Sequence, residues 1–406
     1  MGSLKYEKRL LIISYLLCIA LFINLALLSD TIDKGALIMG GVLIILIFYG
    51  HFVLGRFFPD GDKFLLIFAS ILSFIGIAML YRLNPQVAVK QLIWFVAGIT
   101  TYILIVVLLP DLKSFVKYKY IYLAVTLIFM SMALIAGQEV YGAKNWVIIG
   151  GFSFQPSEIG KIFLVLYLSS ALSTYDDKKT LSGDFKQLVE PALVVMASLG
   201  CMVLQRDLGS ALIFFGISIT MVYIATSGFK YVVTGLLLFA GGAVVSYSLF
   251  GHVRRRVLIW KDLWKYANNE SYQIVQGLFA ISSGGFFGSG LKQGYPGFVP
   301  VNETDFIFAV ICEELGIVFG IGIMLLYFLL FYRGIRAALS AEDRFSQLNA
   351  VGFSAMIAMQ VLVIIGGVYA VIPLTGIALP LISYGGTSML TMFFALGILQ
   401  KISEEG

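Results

Sequence analysis

Charge is what this sequence has least of. Only 13% of its 406 residues are Asp, Glu, Lys or Arg, against about a quarter in soluble domains. Histidine occurs twice, at His51 and His252, too few and too far apart for a metal cluster or a His-based relay. Cys18, Cys201 and Cys312 each stand inside an apolar stretch, without paired spacing or a CxxC, so neither a disulfide framework nor a zinc site is suggested. Acid–base chemistry therefore falls to carboxylates or lysines. There is no fixed-period repeat, and no nucleic-acid partner is expected.

What is abundant is apolar surface. The chain is 59% hydrophobic with a mean hydropathy of +0.94, more than a soluble core could absorb. A bilayer crossing takes about 20 mostly apolar residues. Such stretches predict twelve spans, near 10–28, 35–54, 64–81, 92–109, 120–136, 158–174, 189–204, 209–226, 231–250, 306–332, 347–371 and 377–400. The opening Met1–Arg9 is basic and leads into an apolar run, but no small-residue cleavage site follows, so a retained first span is expected rather than a signal peptide. The expectation is an all-α polytopic membrane protein.

Orientation follows from where Lys and Arg fall. With the N-terminus inside, inner loops and tails hold 16 of the 28 basic residues and outer ones 11, six of these in one long loop at about 251–305. Long loops translocate largely regardless of charge. Both termini are then cytoplasmic and the long loop is extracellular. Within it, Arg254–Tyr266 is basic and aromatic, as suits a helix at the headgroup boundary. Gly277–Gly294 is too short and broken to span, and reads as interfacial or re-entrant.

Ionisable groups at membrane depth are costly and usually face a bundle interior or a water-filled cavity. Glu158 and Lys161 lie three apart on one helix face, either as a mutual ion pair or as part of a polar site. Gln205-Arg206-Asp207 interrupts apolar sequence at an outer turn, where a solvated loop is the plain alternative. Thr304-Asp305 closes the long loop. Either residue could cap the next helix, but Glu313 and Glu314 follow, and three carboxylates in one segment also suit proton transfer or cation binding. Gly284, Gly285, Gly288, Gly290 and Gly294 could turn N–H groups toward a phosphate or allow close packing. The stretch from Pro373 to Ser388 reads as a broken helix, which at membrane depth must line a cavity or be buried in protein.

These segments, in order, resemble the shape, elongation, division and sporulation family that includes RodA, FtsW and SpoVE. The resemblance rests on Gly142-Ala143-Lys144-Asn145-Trp146, Phe154-Gln155-Pro156-Ser157-Glu158, Gln205-Arg206-Asp207-Leu208-Gly209, Tyr272-Gln273 with Gln276, Ser283-Gly284-Gly285, Thr304-Asp305-Phe306-Ile307-Phe308, Glu313-Glu314-Leu315-Gly316 and Ile382-Ser383-Tyr384-Gly385-Gly386. It covers about Lys63 to Gln400. Ten of the spans match the family's core, and residues 1–62 look like an added N-terminal pair before a core of 63–406.

The resemblance implies a glycan-strand polymerase that uses lipid II at the outer face of the bacterial cytoplasmic membrane and releases undecaprenyl diphosphate with inversion. It implies Asp305 as the catalytic base. It implies substrate contacts at Lys161, Glu158, Asp207, Arg256, Gln273, Gln276, Trp146 and Ser383, and a class B penicillin-binding protein as the partner transpeptidase. No dedicated metal cage is visible, although a magnesium or manganese ion could assist at the diphosphate. Departures include Asn145 where many members carry Arg, Arg206 where Pro is usual, and Leu263 for the Pro of an Asp-Pro pair. Two readings of other classes stand beside the enzyme: a lipid II transporter using Glu158, Lys161 and Asp207 as a polar path, and a scaffold for a transpeptidase.

Overall fold

A computed structural model describes residues 2–28, 31–140, 143–149, 152–176 and 181–405. Gly142 of the Gly-Ala-Lys-Asn-Trp motif lies outside the described residues. An N-terminal pair, α1 (Gly2–Leu27) and α2 (Lys34–Phe57), precedes α3 (Phe64–Leu83), α4 (Pro85–Leu108), α5 (Lys119–Ala136), α6 (Pro156–Ser173), α7 (Leu181–Leu204), α8 (Leu208–Thr226) and α9 (Phe229–Leu249). The long loop contributes α10 (Gly251–Lys261) and α11 (Tyr272–Gly284). After it come α12 (Ile307–Leu315), α13 (Ile317–Ser340), α14 (Arg344–Val368) and α15 (Gly386–Glu405). Short antiparallel strands β1 (Gln138–Val140), β2 (Ala143–Ile149) and β3 (Phe152–Phe154) join α5 to α6.

Local sequence sets many helix starts. Asn84 accepts from the Gln86 N–H with Pro85 at the first turn of α4, Pro156 opens α6, and Asp33, Asp207 and Asp343 each cap the helix that follows. Ten described helices are long and apolar enough to cross a membrane: α1 to α5, α7 to α9, α13 and α14. The other two predicted spans fall on α6 and α15, the helices that carry Glu158, Lys161, Thr391 and Gln400. These sit inside the bundle, α6 against α5, α14 and α8, and α15 against α4, α14 and α13. A polar face is tolerable there because protein groups, not lipid, surround it. The result is an all-α multi-pass membrane fold. At the opposite extreme, α9 has no buried residue.

One predicted span needs correction. The stretch 306–332 is two helices, broken at Gly316, whose φ is +86°. The 9-residue α12 is about 13 Å long, well short of a roughly 30 Å hydrocarbon core, whereas the 24-residue α13 is long enough alone. The break is enforced by packing, since a Cβ on Gly316 would lie 2.4 Å from the Phe286 carbonyl oxygen. The glycine-rich stretch serves the same contact. A Cβ on Gly284 or Gly288 would lie 2.2 Å from the carbonyl oxygens of Cys312 or Glu314, and the N–H groups of Ser289 and Gly290 donate to the Glu313 and Glu314 carbonyls. Close packing accounts for Gly284, Gly288 and Gly294, and a positive φ for Gly285 and Gly290.

At the far end of the bundle, the turn between α2 and α3 gathers distant parts of the chain. Lys63 lies 3.9 Å from the Glu7 carboxylate of α1, Asp62 pairs with Arg333 of α13 at 3.2 Å, and the Asp62 N–H donates to Ser403 of α15.

Candidate functional site

Asp305 stands on an irregular segment that is held by backbone contacts. Thr304 N–H and Phe306 N–H both donate to the Val301 carbonyl, and Val301 itself has φ +54°. The Phe306 ring is fully buried and seats where α11 carries Gly277, because a Cβ there would meet the ring at 2.5 Å. From the other side comes the broken segment before α15. Ser383 Oγ donates to the Thr304 carbonyl, Tyr384 N–H donates to the Glu303 carbonyl at 2.9 Å, and Gln91 of α4 bonds both the Ser383 carbonyl and the Gly385 N–H. Gly376, at φ +71°, passes so close that a Cβ on it would be 3.6 Å from Asp305 Oδ2. Ser383 thus positions the strand of backbone that bears the carboxylate.

The capping alternative for Thr304 and Asp305 is not what the chain adopts. The helix begins one residue later, with Phe306 at the cap position and no side-chain cap bond. The Asp305 carboxylate is half-buried and its pKa is pushed up to about 6 by burial, against the Thr304 hydrogen bond and the Arg256 charge, which pull it down. Glu313 and Glu314, more than two helical turns further on, face elsewhere. Glu314 pairs with Arg82 at 2.9 Å and accepts from the Lys292 N–H, while Glu313 accepts from the Tyr295 N–H. Among the described residues no three His, Cys, Asp or Glu side chains converge on a common point that could hold a metal.

Arg256 comes from α10. That helix is pinned by Trp260 Nε1, which donates to the Ala370 carbonyl at the end of α14. The charges of two carboxylates, Asp207 and Asp305, favour the charged form of Arg256, while burial works against it. Asp207 is buried and accepts four hydrogen bonds from within the protein: Asn145 Nδ2 and Gln155 Nε2 at 3.0 Å, and the Ser210 N–H and Oγ. It therefore fastens the β-strands, the entry to α6 and the start of α8 together. Asn145, the family departure, is part of this fastening.

Glu158 and Lys161 form a separate cluster. They are buried and paired at 2.7 Å; Lys161 also donates to Gln360 of α14 at 2.8 Å, and Thr391 of α15 donates to Glu158. Gln360 in turn donates to the Ala378 carbonyl of the broken segment. The pair is mutual, as its plain reading has it, and it ties three helices to the segment that supports Asp305. Gln273 and Gln276 lie half-buried on α11, and Trp146 half-buried on β2 opposite Gln138. Sequence reasoning passed over His252, Gln91 and Gln360. His252 lies four residues before Arg256 on α10, and only the i, i+4 spacing could have drawn attention to it.

Three comparisons bear on this arrangement. A model of the family of cell cycle proteins comprising FtsW, RodA and SpoVE matches residues 62–406. The chain is 37% identical over 377 residues to the peptidoglycan glycosyltransferase RodA of Mycobacterium tuberculosis, covering 87% of this chain and 80% of that one. It is 33% identical over 364 residues to the stage V sporulation protein E of Bacillus subtilis, covering 84% and 97%. Among solved structures, it resembles a chain from work on structural coordination of polymerization and crosslinking by a peptidoglycan synthase complex, with TM-score 0.72, 26% identity, and coverage of 84% and 97%. The rod shape determining protein RodA of Thermus thermophilus follows at TM-score 0.63, 26% identity, and coverage of 84% and 96%.

Proposed function

The chain belongs to the FtsW/RodA/SpoVE family of cell cycle proteins, and from that membership we propose that it is a peptidoglycan glycosyltransferase polymerising lipid II at the outer face of the cytoplasmic membrane. The observation that carries the assignment to a site is Asp305: a half-buried carboxylate with pKa about 6, released from capping and held on a backbone platform beside a cationic helix. A base with that pKa is mostly ionised at pH 7 and still able to take a proton.

In the reaction, the acceptor sugar's 4-hydroxyl attacks the anomeric carbon of the lipid-linked MurNAc while Asp305 takes the hydroxyl proton. The bond to the diphosphate breaks and undecaprenyl diphosphate leaves, with one inversion. Negative charge grows on the leaving oxygens, where a fixed cation helps most, and Arg256 is a cation whose charge acts on Asp305. Gln273, Gln276 and Trp146 lie on elements flanking the same region and would contact the sugars or peptide. Lys161, Glu158 and Asp207 are fully engaged inside the protein, which favours a role in holding the site rather than in a transport path. A magnesium or manganese ion would have to draw most of its ligands from the diphosphate, and no step is routed through one.

The charge bias of the loops supports cytoplasmic termini and an extracellular 251–305 loop. The match beginning at residue 62 supports α1 and α2 as a pair added to a ten-span core. The likeness to a chain of a peptidoglycan synthase complex supports a class B penicillin-binding protein as partner. The test is polymerisation of lipid II in detergent with that partner, wild type against Asp305→Asn. Polymer from wild type and none from the variant, with lipid II still bound, is expected; equal polymer from both would remove Asp305 as the base.

A further inference from the structure

We propose that His252 is a second donor to the diphosphate of the lipid-linked substrate, acting beside Arg256. This rests on the polymerase reading and extends it to a residue outside the family motifs quoted above. His252 and Arg256 are four apart on α10 and so share one face of it. That face is turned to the protein: Val253 beside it is buried, and Trp260, four residues beyond Arg256, donates to the Ala370 carbonyl. It is also turned to the site, since the charges of Asp207 and Asp305 both act on Arg256.

On this face two nitrogen atoms, His252 Nε2 and Arg256 Nη1, are buried with no hydrogen-bond partner in the protein. Buried polar nitrogens are rarely left without a partner, and two that are orphaned together, one of them cationic, suit an anion. Arg206 reinforces the field. It stands at φ +64° at the turn before α8, and its charge reaches His252 together with that of Arg256. Its only ion pair among the described residues, with Glu139 at 3.2 Å, is exposed. Burial and these two arginines hold His252 below the usual histidine range, so at neutral pH it is an uncharged ring, which donates to an anion in its Nε2–H tautomer. The ring otherwise rests 5.6 Å from that of Phe250, a contact that makes no use of the nitrogens.

The proposal is tested on the full chain in detergent with geranylgeranyl diphosphate as probe and geranylgeraniol as its uncharged control. His252→Phe keeps a ring against Phe250 and removes both nitrogens; His252→Gln keeps a neutral donor. The expected result is about tenfold weaker binding of the diphosphate by His252→Phe, unchanged binding of the alcohol, and recovery in His252→Gln, as for one lost hydrogen bond to a charged group. In polymerisation the same variant raises KM for lipid II by a similar factor with kcat within about threefold. Diphosphate binding equal to wild type overturns the proposal. Equal loss of diphosphate and alcohol also overturns it, because packing alone would then explain the effect. Displacement of the probe by phosphatidylglycerol as readily as by unlabelled diphosphate assigns the nitrogens to a lipid headgroup and overturns it too. If His252→Phe does not fold, His252→Leu makes the same comparison. If wild type binds the diphosphate in the expected pattern but makes no polymer, the polymerase reading falls and the His252 contact stands.

Discussion

Asp305 shows how burial can raise one carboxylate's pKa at the expense of the fold. Its folded pKa of about 6 lies above the ordinary aspartate value of 3.8, so the folded state binds the proton more tightly. Stability is then greatest below about pH 4 and declines as pH rises through 6, where the carboxylate ionises in a place that disfavours charge. Asp305→Asn should therefore raise the melting temperature at pH 7, by on the order of 1–3 kcal/mol of stability, while polymerisation falls about a hundred- to ten-thousand-fold. Wild-type kcat should fall as pH drops below 6. A melting temperature unchanged from pH 4.5 to 7 and equal in both proteins would contradict the burial account. Lys161 behaves differently. Lys161→Met strands Glu158 inside the bundle and should cost about 3–5 kcal/mol, much of it returned by adding Glu158→Gln; denaturation of the single and double variants reads this directly. Asp305 was legible from its position at the mouth of a helix. The closed partnership of Glu158 and Lys161 with Gln360 and Thr391 was not, because those partners lie about 200 residues away in the chain and only folding brings them near.

At the scale of elements, hydropathy located the helices because a long apolar run has few other uses. It failed where packing, not polarity, interrupts the run. Ile307 to Leu330 is nearly continuous apolar sequence apart from Glu313 and Glu314, yet Gly316 divides it. The reason is a backbone approach from Phe286 that a sequence does not display. Gly316→Ala should straighten or displace α12, with loss of stability of about 1–3 kcal/mol and a larger loss of polymerisation than of lipid II binding, since Asp305 lies two residues before that helix. Activity equal to wild type would show that the break is dispensable. The basic, aromatic helix of the loop was readable as α10, but its anchoring through Trp260 was not. Of the strands between α5 and α6, β1 and β3 were missed because three-residue strands leave almost no alternating pattern, and the seven-residue β2 because Trp-Val-Ile-Ile does not alternate.

For the whole molecule, the composition sufficed to place the chain in a membrane, while the direction that loop charge suggests stays an expectation for topology reporters to check. The N-terminal pair is a distinct question. Cys18, Phe22, Leu25, Leu43 and Ile47 are buried on α1 and α2, which pack against α3 and α4 and contribute none of the hydrogen bonds that hold the Asp305 segment. A chain of residues 63–406 should thus retain measurable lipid II polymerisation with a lowered melting temperature. Complete loss of activity in a truncated protein that still folds would make the pair part of the catalytic core.

The knot of contacts around Asp62 and Lys63 bears on a matter of parity. Glu7 of α1 and Ser403 of α15 both touch residues 62–63, so α1 starts and α15 finishes at the same end of the helix bundle, an arrangement that fits an even number of crossings. Among the described residues ten apolar helices with α6 and α15 make twelve, which is such a number. Reporters fused to the two termini are accordingly expected to share a compartment, and finding them in different ones would contradict this parity.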